Sequence, residues 1–209
     1  IKRLSEEFRY YIDTYGISQF EIADNAFSSS PSFYKALENL SNDGIEINWG
    51  GNCNIYELNK QKLIKYKNLG LKHCYFGIES SSPKIRRLMG KNINISHEIE
   101  LLKLSYQNQI KSSLYFMIGF PGETTEDFQK TLDFIKENNI YIYDITTSVF
   151  TLMVGTPVFN LNLLTPIQLG PKTLNAFTYQ TKDGVTHEER KNRFLSIQIL
   201  WNQIKELKT

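Results

Sequence analysis

One alternation constrains this chain more than any other feature: short runs rich in β-branched and aromatic residues, each followed by a stretch with helical spacing. Strand-like runs stand near 19–23, 45–49, 73–78, 113–118 and 143–152. Helix-like stretches fall near 31–40, 60–68, 83–89 with 96–107, and 125–138. Strand starts lie about 25 to 40 residues apart, the length of a βα unit. A crossover helix returns the chain to the same edge of the sheet, so five such units predict an α/β fold with a mainly parallel sheet. Periodicity leaves open whether the sheet is doubly wound or a full or partial barrel. Either architecture binds its ligands at the carboxyl ends of the strands, which makes the residues just there the ones to read.

Local signals agree with the alternation. Leu4, Phe8, Tyr11, Ile12 and Tyr15 form a helical stripe that Gly16 ends. Pro31 and Pro83 each follow serines and suit a first helical turn, while Thr124 or Thr125 can cap the helix that carries Phe128, Leu132 and Ile135. The chain opens at Ile1 inside a helix rather than at a methionine, so the full protein is expected to begin upstream, with no signal peptide in view. From Thr165 onward the character changes. Pro166, Gly170, Pro171, Asp183 and Gly184 punctuate a polar stretch, Thr186-x-x-Glu189 reads as a capping box, and Phe194, Ile197, Trp201 and Ile204 share a stripe on a last helix. That helix is expected to close or flank the main domain, with a substrate-facing lid in the tail as the alternative. The expected division is 1–160 for the main domain and 161–209 for the extension.

Composition removes several function classes. The chain has 209 residues, 41% of them hydrophobic, which is one domain's worth of chain with a sizeable core. Its 24 basic and 22 acidic residues leave a net charge of +2, so no field argues for nucleic acid or an anionic membrane. The longest apolar run, around 148–155, is far below the roughly 20 residues of a membrane span. Cys53 and Cys74 fit neither a disulfide framework nor a zinc site, and a reducing, cytoplasmic setting is expected.

The strand ends are unusually polar. One run ends Ile22-Ala23-Asp24-Asn25-Ala26-Phe27, another Phe76-Gly77-Ile78-Glu79-Ser80, and a third Phe116-Met117-Ile118-Gly119-Phe120-Pro121-Gly122-Glu123-Thr124. Each carboxylate has a bland reading: Asp24 capping the next turn, Glu79 pairing with an arginine, Glu123 capping the helix at Thr125. Three acidic residues at three strand ends nevertheless look like a site. The 119–125 loop is no phosphate loop, since no lysine follows Gly122. His73, His97 and His187 lack metal-ligand spacing, and His73, beside Cys74 in an apolar strand, reads as a satisfied core histidine.

Together with Met89-Gly90-Lys91 and Gly155-Thr156-Pro157, these segments in this order resemble the radical S-adenosylmethionine superfamily, and more narrowly its branch that often carries an upstream cobalamin-binding domain. The resemblance runs from about residue 1 to 160 and more weakly through the last helix. It implies a partial (β/α)6 TIM-like barrel, truncated at its N-terminus. It also implies a [4Fe-4S] cluster that cleaves S-adenosylmethionine to a 5′-deoxyadenosyl radical, held by Cys-x3-Cys-x2-Cys after the first strand. No such triad occurs here. The cluster ligands and any cobalamin domain are therefore expected upstream, and these residues alone are expected to be inactive.

Roles carried over by the resemblance are these. Asp24 and Asn25 would meet the methionine amino group or the substrate, a carboxylate suiting an ammonium. Glu79 and Ser80 would meet the ribose hydroxyls. Lys91 would pair with the methionine carboxylate, with Arg86 or Arg87 as substitutes. Ile118, Gly119, Pro121 and Gly122 would lay apolar surface and close backbone against adenine, with Glu123 a ligand contact or a helix cap. The implied function is a methyltransferase or Fe–S oxidoreductase acting on an unactivated carbon of a small molecule, with no nucleic-acid or membrane partner. The rivals are an RNA methylthiotransferase, a non-catalytic barrel remnant that scaffolds a partner, and an ordinary (β/α) lyase with Glu79 or Asp24 as base.

Overall fold

The computed structural model describes residues 2–91, 94–153, 156–160, 176–177 and 185–208. In chain order the elements are α1 (Lys2–Tyr15), β1 (Gln19–Ile22), α2 (Pro31–Asn42), β2 (Asn48–Cys53), α3 (Lys60–Asn68), β3 (Leu71–Glu79), α4 (Pro83–Leu88), α5 (Ile95–Gln107), β4 (Lys111–Ile118), α6 (Thr125–Asn138), β5 (Asp144–Val149), β6 (Leu152–Met153), β7 (Ala176–Phe177) and α7 (His187–Glu206). Gly155 of the Gly155-Thr156-Pro157 motif, and Pro166, Gly170, Pro171, Asp183 and Gly184, read above as punctuating a polar stretch, lie outside the described residues.

The five-stranded sheet runs β1-β2-β3-β4-β5. Every strand is hydrogen-bonded to its neighbour in sequence, β1–β2 and β2–β3 in parallel. A doubly wound sheet reverses direction at a switch point, and this order never reverses, so the choice left open by periodicity falls to the barrel type. Within β3, Cys74, Phe76 and Ile78 are buried while His73, Tyr75 and Glu79 are part-exposed. In β4, Leu114, Phe116 and Ile118 alternate in the same way with Tyr115 and Met117. One face of these strands is thus apolar and the other largely polar, unlike a parallel sheet buried on both faces.

Contacts divide the chain into two compact units, Ile1–Gly77 with Asn94–Leu114 and Ile140–Asp144, and Ile78–Ile93 with Tyr115–Asn139 and Ile145–Thr209. The first is built around Trp49 of β2, whose ring meets Phe27 and Phe33 edge-on at centroid distances of 4.9 Å. Its indole N–H donates to the Leu69 carbonyl at 2.8 Å, so the one polar atom of this large ring is satisfied as it is buried. In the second, Ile85 of α4, Phe134 and Ile135 of α6, and Ile197 and Trp201 of α7 are buried, and Phe134 meets Phe116 of β4 edge-on at a centroid distance of 6.4 Å.

The second strand corrects the sequence reading, which placed it at 45–49 and so ended it before Gly50-Gly51. The strand instead runs Asn48–Cys53, straight through both glycines. A Cβ on Gly50 would stand 2.9 Å from His73 Cβ, and one on Gly51 3.1 Å from Ile22 Cβ. Close approach of neighbouring strands requires glycine there, and the register shifts between Trp49 and Gly50, as at a bulge. The last strand is also shorter than expected. It stops at Val149, and Leu152–Met153 pairs antiparallel with Ala176–Phe177 instead. We expect Gly50→Ala to lower stability by about 1–3 kcal/mol in urea denaturation, the usual cost of overpacking a tight contact; an unchanged midpoint would mean that β2 and β3 can move apart freely.

Candidate functional site

Four helix starts are fixed by side-chain caps that also shape the loops before them. Ser30 accepts from Phe33 N–H and Ser82 from Ile85 N–H, each with proline at the first helical position. Thr124 caps α6 in a capping box closed by Asp127, and Thr186 caps α7 by accepting from Glu189 N–H at 3.1 Å. Two expectations are corrected here. The α6 box uses Asp127, not Glu123, and Thr186-x-x-Glu189 is only half a box, because the Glu189 carboxylate accepts from Arg193 Nη2 at 2.6 Å.

In the first unit, Asp24 and Asn25 follow β1 and are exposed. Asp24 Oδ1 accepts from Asn25 N–H at 2.7 Å, and its carbonyl accepts from the Asn52 side chain at 3.1 Å, which fixes the loop. At the amino ends of the strands the same unit has a cavity of about 630 Å³ lined by Gln19, Glu21, Asn48, His73 and Lys111. Here His73 Nε2 lies 2.8 Å from Ser113 Oγ and its ring stacks on Tyr75, so the histidine has its partner, but it is part-exposed on the cavity wall rather than a core residue as the sequence reading had it. Burial pushes its pKa down and that of Glu21 up. His97 Nε2 faces the carbonyls of Ile55 and Leu58.

In the second unit, the end of β3 holds an unusual backbone. Glu79 has φ +65°, and Ser80 N–H donates back to the Ile78 carbonyl at 2.8 Å, the pattern of the rare positive-φ γ-turn. A non-glycine residue pays conformational strain for this position, and such outliers cluster at functional sites. Glu79 Oε1 lies 3.0 Å from Lys91 Nζ, with both side chains still in contact with solvent. Ser80, by contrast, is fully buried: its hydroxyl accepts from Ser82 N–H at 3.1 Å and its carbonyl from Arg86 Nε. The hydroxyl read as a diol contact therefore shapes the loop. Arg86 is equally buried, so it is no substitute for Lys91, and Arg87 Nε turns back to the Pro83 carbonyl.

The loop after β4 lies in the same unit. Phe120-Pro121-Gly122-Glu123 forms a type II turn, closed by Glu123 N–H to the Phe120 carbonyl at 2.9 Å, with proline at the second position and Gly122 at φ +90°. Gly119, at φ +74°, has no room for a Cβ because the Arg190 side chain lies against it. This corrects the reading of these glycines as required by a ligand: the turn and Arg190 already require them. Ile118 and residues 119–123 are all buried. Glu123 Oε2 accepts from Gly119 N–H at 2.9 Å and pairs with Arg193 Nη1 at 3.1 Å. Burial nevertheless pushes the Glu123 carboxyl up, against the pull of these donors.

Asp127 joins the two loops of this unit. It accepts from Ser82 Oγ at 2.6 Å, from Lys84 Nζ at 2.9 Å and from the Thr124 N–H and hydroxyl, while Lys84 also reaches the Gly122 carbonyl at 2.6 Å. The structure thus brings Glu79, Ser80, Lys91, Ile118, Gly119, Pro121, Gly122 and Glu123 into one unit, with Asp24 and Asn25 in the other. Sequence reading missed Lys84, Asp127, Arg190 and Arg193. The spacing Thr124-x-x-Asp127 was a legible capping signal for one of them; nothing in the local sequence singles out the two arginines.

The two cysteines do not fit an iron–sulfur cluster. Both are buried, and burial pushes the Cys53 thiol up to about 12 and the Cys74 thiol well up too, away from the thiolate that iron requires. Among the described residues no helix is long and apolar enough to cross a membrane.

Residues 1–135 match the Radical SAM superfamily, and the chain belongs to it. It is 28% identical over 188 residues to an uncharacterized methyltransferase of Pyrococcus horikoshii, covering 88% of this chain and 39% of that protein. It is also 33% identical over 92 residues to a tRNA-2-methylthio-N(6)-dimethylallyladenosine synthase of Desulforamulus reducens, covering 43% of this chain and 20% of that one. Among solved structures, the cobalamin-dependent S-adenosylmethionine radical enzyme OxsB with aqua-cobalamin bound superposes with a TM-score of 0.66 at 13% identity, over 93% of this chain and 35% of OxsB. The partial radical-SAM barrel implied by the sequence motifs is therefore the fold. The chain spans about two fifths of the length of its Pyrococcus relative.

Asp127 supplies a pH test of the loop network. Burial works against its charge, yet the hydrogen bonds from Ser82, Lys84 and Thr124 hold its carboxyl down, from 3.8 to about 2. A folded-state pKa below the unfolded one means stability that is complete above about pH 4 and is lost as pH falls towards 2. Between pH 5 and pH 2 the wild type should lose about 2 kcal/mol more than Asp127→Asn in urea denaturation. Parallel losses would show that this carboxylate is not held by the donors around it.

Proposed function

We propose that this chain is the cosubstrate-holding part of a radical S-adenosylmethionine methyltransferase acting on a small molecule in the cytoplasm. Glu79 accepts from the ribose hydroxyls, Lys91 pairs with the methionine carboxylate, and Asp24 with Asn25 takes the methionine amino group or the substrate. The loop 118–122 sets its backbone near adenine, with Glu123 behind it. The cluster ligands and a cobalamin-binding domain belong to other parts of the full protein. Bound there, the cluster would supply the electron that cleaves S-adenosylmethionine; the residues here bind and orient that cosubstrate.

The observation that carries this reading is the backbone of Glu79. Glycine would hold φ +65° without the roughly 1–2 kcal/mol that an L side chain costs there. The ion pair with Lys91 does not account for keeping a glutamate, because a part-exposed pair contributes about 1 kcal/mol or less. A carboxylate kept at a strained strand end, with a cation beside it, suits a ligand carrying both a diol and a zwitterionic amino acid.

Calorimetric titration of the reconstituted full-length protein with S-adenosylmethionine tests this. Glu79→Gly should be at least as stable as wild type yet bind the cosubstrate about 10- to 150-fold more weakly, the effect of losing a hydrogen bond to a charged group. Unchanged affinity, or lost stability with affinity intact, would make Glu79 structural. Incorporation of sulfur into RNA rather than methyl transfer by the active protein would favour the methylthiotransferase reading.

A further inference from the structure

Helix α7 lies outside the residues that match the superfamily, yet two of its arginines are almost completely buried against the loop after β4. Arg193 Nη1 donates to both the carbonyl and Oε2 of Glu123, at 2.9 and 3.1 Å, across 70 residues of sequence. The same Oε2 accepts from Gly119 N–H at 2.9 Å. One carboxylate oxygen therefore connects the guanidinium to a backbone amide at the end of β4. Arg193 is itself held in place, since Nη2 donates to Glu189 one turn earlier and the guanidinium sits 5.6 Å from the centre of the Phe128 ring. One turn before Arg193 on the other side, the stem of Arg190 occupies the space where a side chain on residue 119 would stand.

We propose that α7 is a positioning element for the cosubstrate loop: Arg193, acting through Glu123, fixes the orientation of the Gly119 amide, and Arg190 sets the depth at which Gly119 sits. This rests on the reading that residues 118–122 meet S-adenosylmethionine. These contacts gather on one loop rather than spreading over the core. Lys84 holds the Gly122 carbonyl from one side and Arg193 holds the next carbonyl, that of Glu123, from another, so consecutive peptide groups are each fixed by a cation. A buried ion pair is a poor source of net stability but a good source of a single defined arrangement, because its partners tolerate few geometries. Arginine is suited to the task and lysine is not. Its planar fork can satisfy the carbonyl, the carboxylate and Glu189 together, whereas an ammonium on a flexible stem cannot hold all three in one plane.

The test uses the full-length, cluster-loaded protein with Arg193→Lys, which keeps the charge, Arg193→Met, which removes it, and the double variant Glu123→Gln with Arg193→Met, which removes both charges while leaving an acceptor for Gly119 N–H. Two readings are taken: amide hydrogen exchange by peptide, and affinity for S-adenosylmethionine. Arg193→Lys should speed exchange mainly in 118–124 and weaken the cosubstrate about tenfold, the scale of one misplaced hydrogen-bonded contact. The double variant should bind more tightly than Arg193→Met alone. Unchanged exchange in 118–124, or exchange raised evenly over the whole chain, would overturn the positioning role. Faster local exchange with unchanged affinity would overturn instead the reading of this loop as a cosubstrate contact.

Discussion

Asp127 accepts from Ser82, Lys84 and Thr124 at once, and through these contacts the loop after β3 and the turn after β4 hold a fixed relation within one unit. The loop after β3 has no apolar side chain to order it, and the turn after β4 has Phe120, packed edge-on against Phe150, and Pro121. Their backbone groups are instead taken by buried polar side chains: Ser80 and Ser82 within the first loop, Lys84 on Gly122, Glu123 on Gly119. Buried polar networks of this kind are costly when incomplete and specific when complete. Beside them, Glu79 and Lys91 keep contact with solvent after β3.

Much of the fold was legible because helix starts are written in short-range chemistry. Serine before proline at Pro31 and Pro83, and Thr124 before an acidic first turn, place α2, α4 and α6 without reference to the rest of the chain. The strands β3 and β4 were equally clear from their β-branched and aromatic runs. What escaped depends on distant partners. Gly50 and Gly51 look like a break until Ile22 and His73 are seen beside them. Arg190 and Arg193 look solvated until the loop after β4 is seen packed on them, so the stripe of Ile197 and Trp201 was read one and two turns too short.

The candidate site divides in the same way. Glu79, Lys91 and the turn at Pro121-Gly122 were visible as motif residues, and the structure gives them geometry. The roles of Ser80, Arg86, Gly119 and Glu123 could not be assigned from residue type alone. A buried serine and an exposed one read alike in sequence, and so do a glycine needed for a ligand and one needed for a neighbouring arginine stem. Membership of the Radical SAM superfamily sets the class of chemistry, and the strained carboxylate at the end of β3 is the feature on which the proposed cosubstrate contact rests.

The most direct measurement is to photolabel the full-length, cluster-loaded protein with an 8-azidoadenine form of S-adenosylmethionine and map the modified peptides by mass spectrometry. Label within 79–91 and 118–123, competed away by unmodified S-adenosylmethionine, is the expected result. Competed label at Gln19, Glu21, Asn48 or Lys111, around the cavity at the opposite ends of the strands, would contradict the placement of the cosubstrate at the ends of β3 and β4.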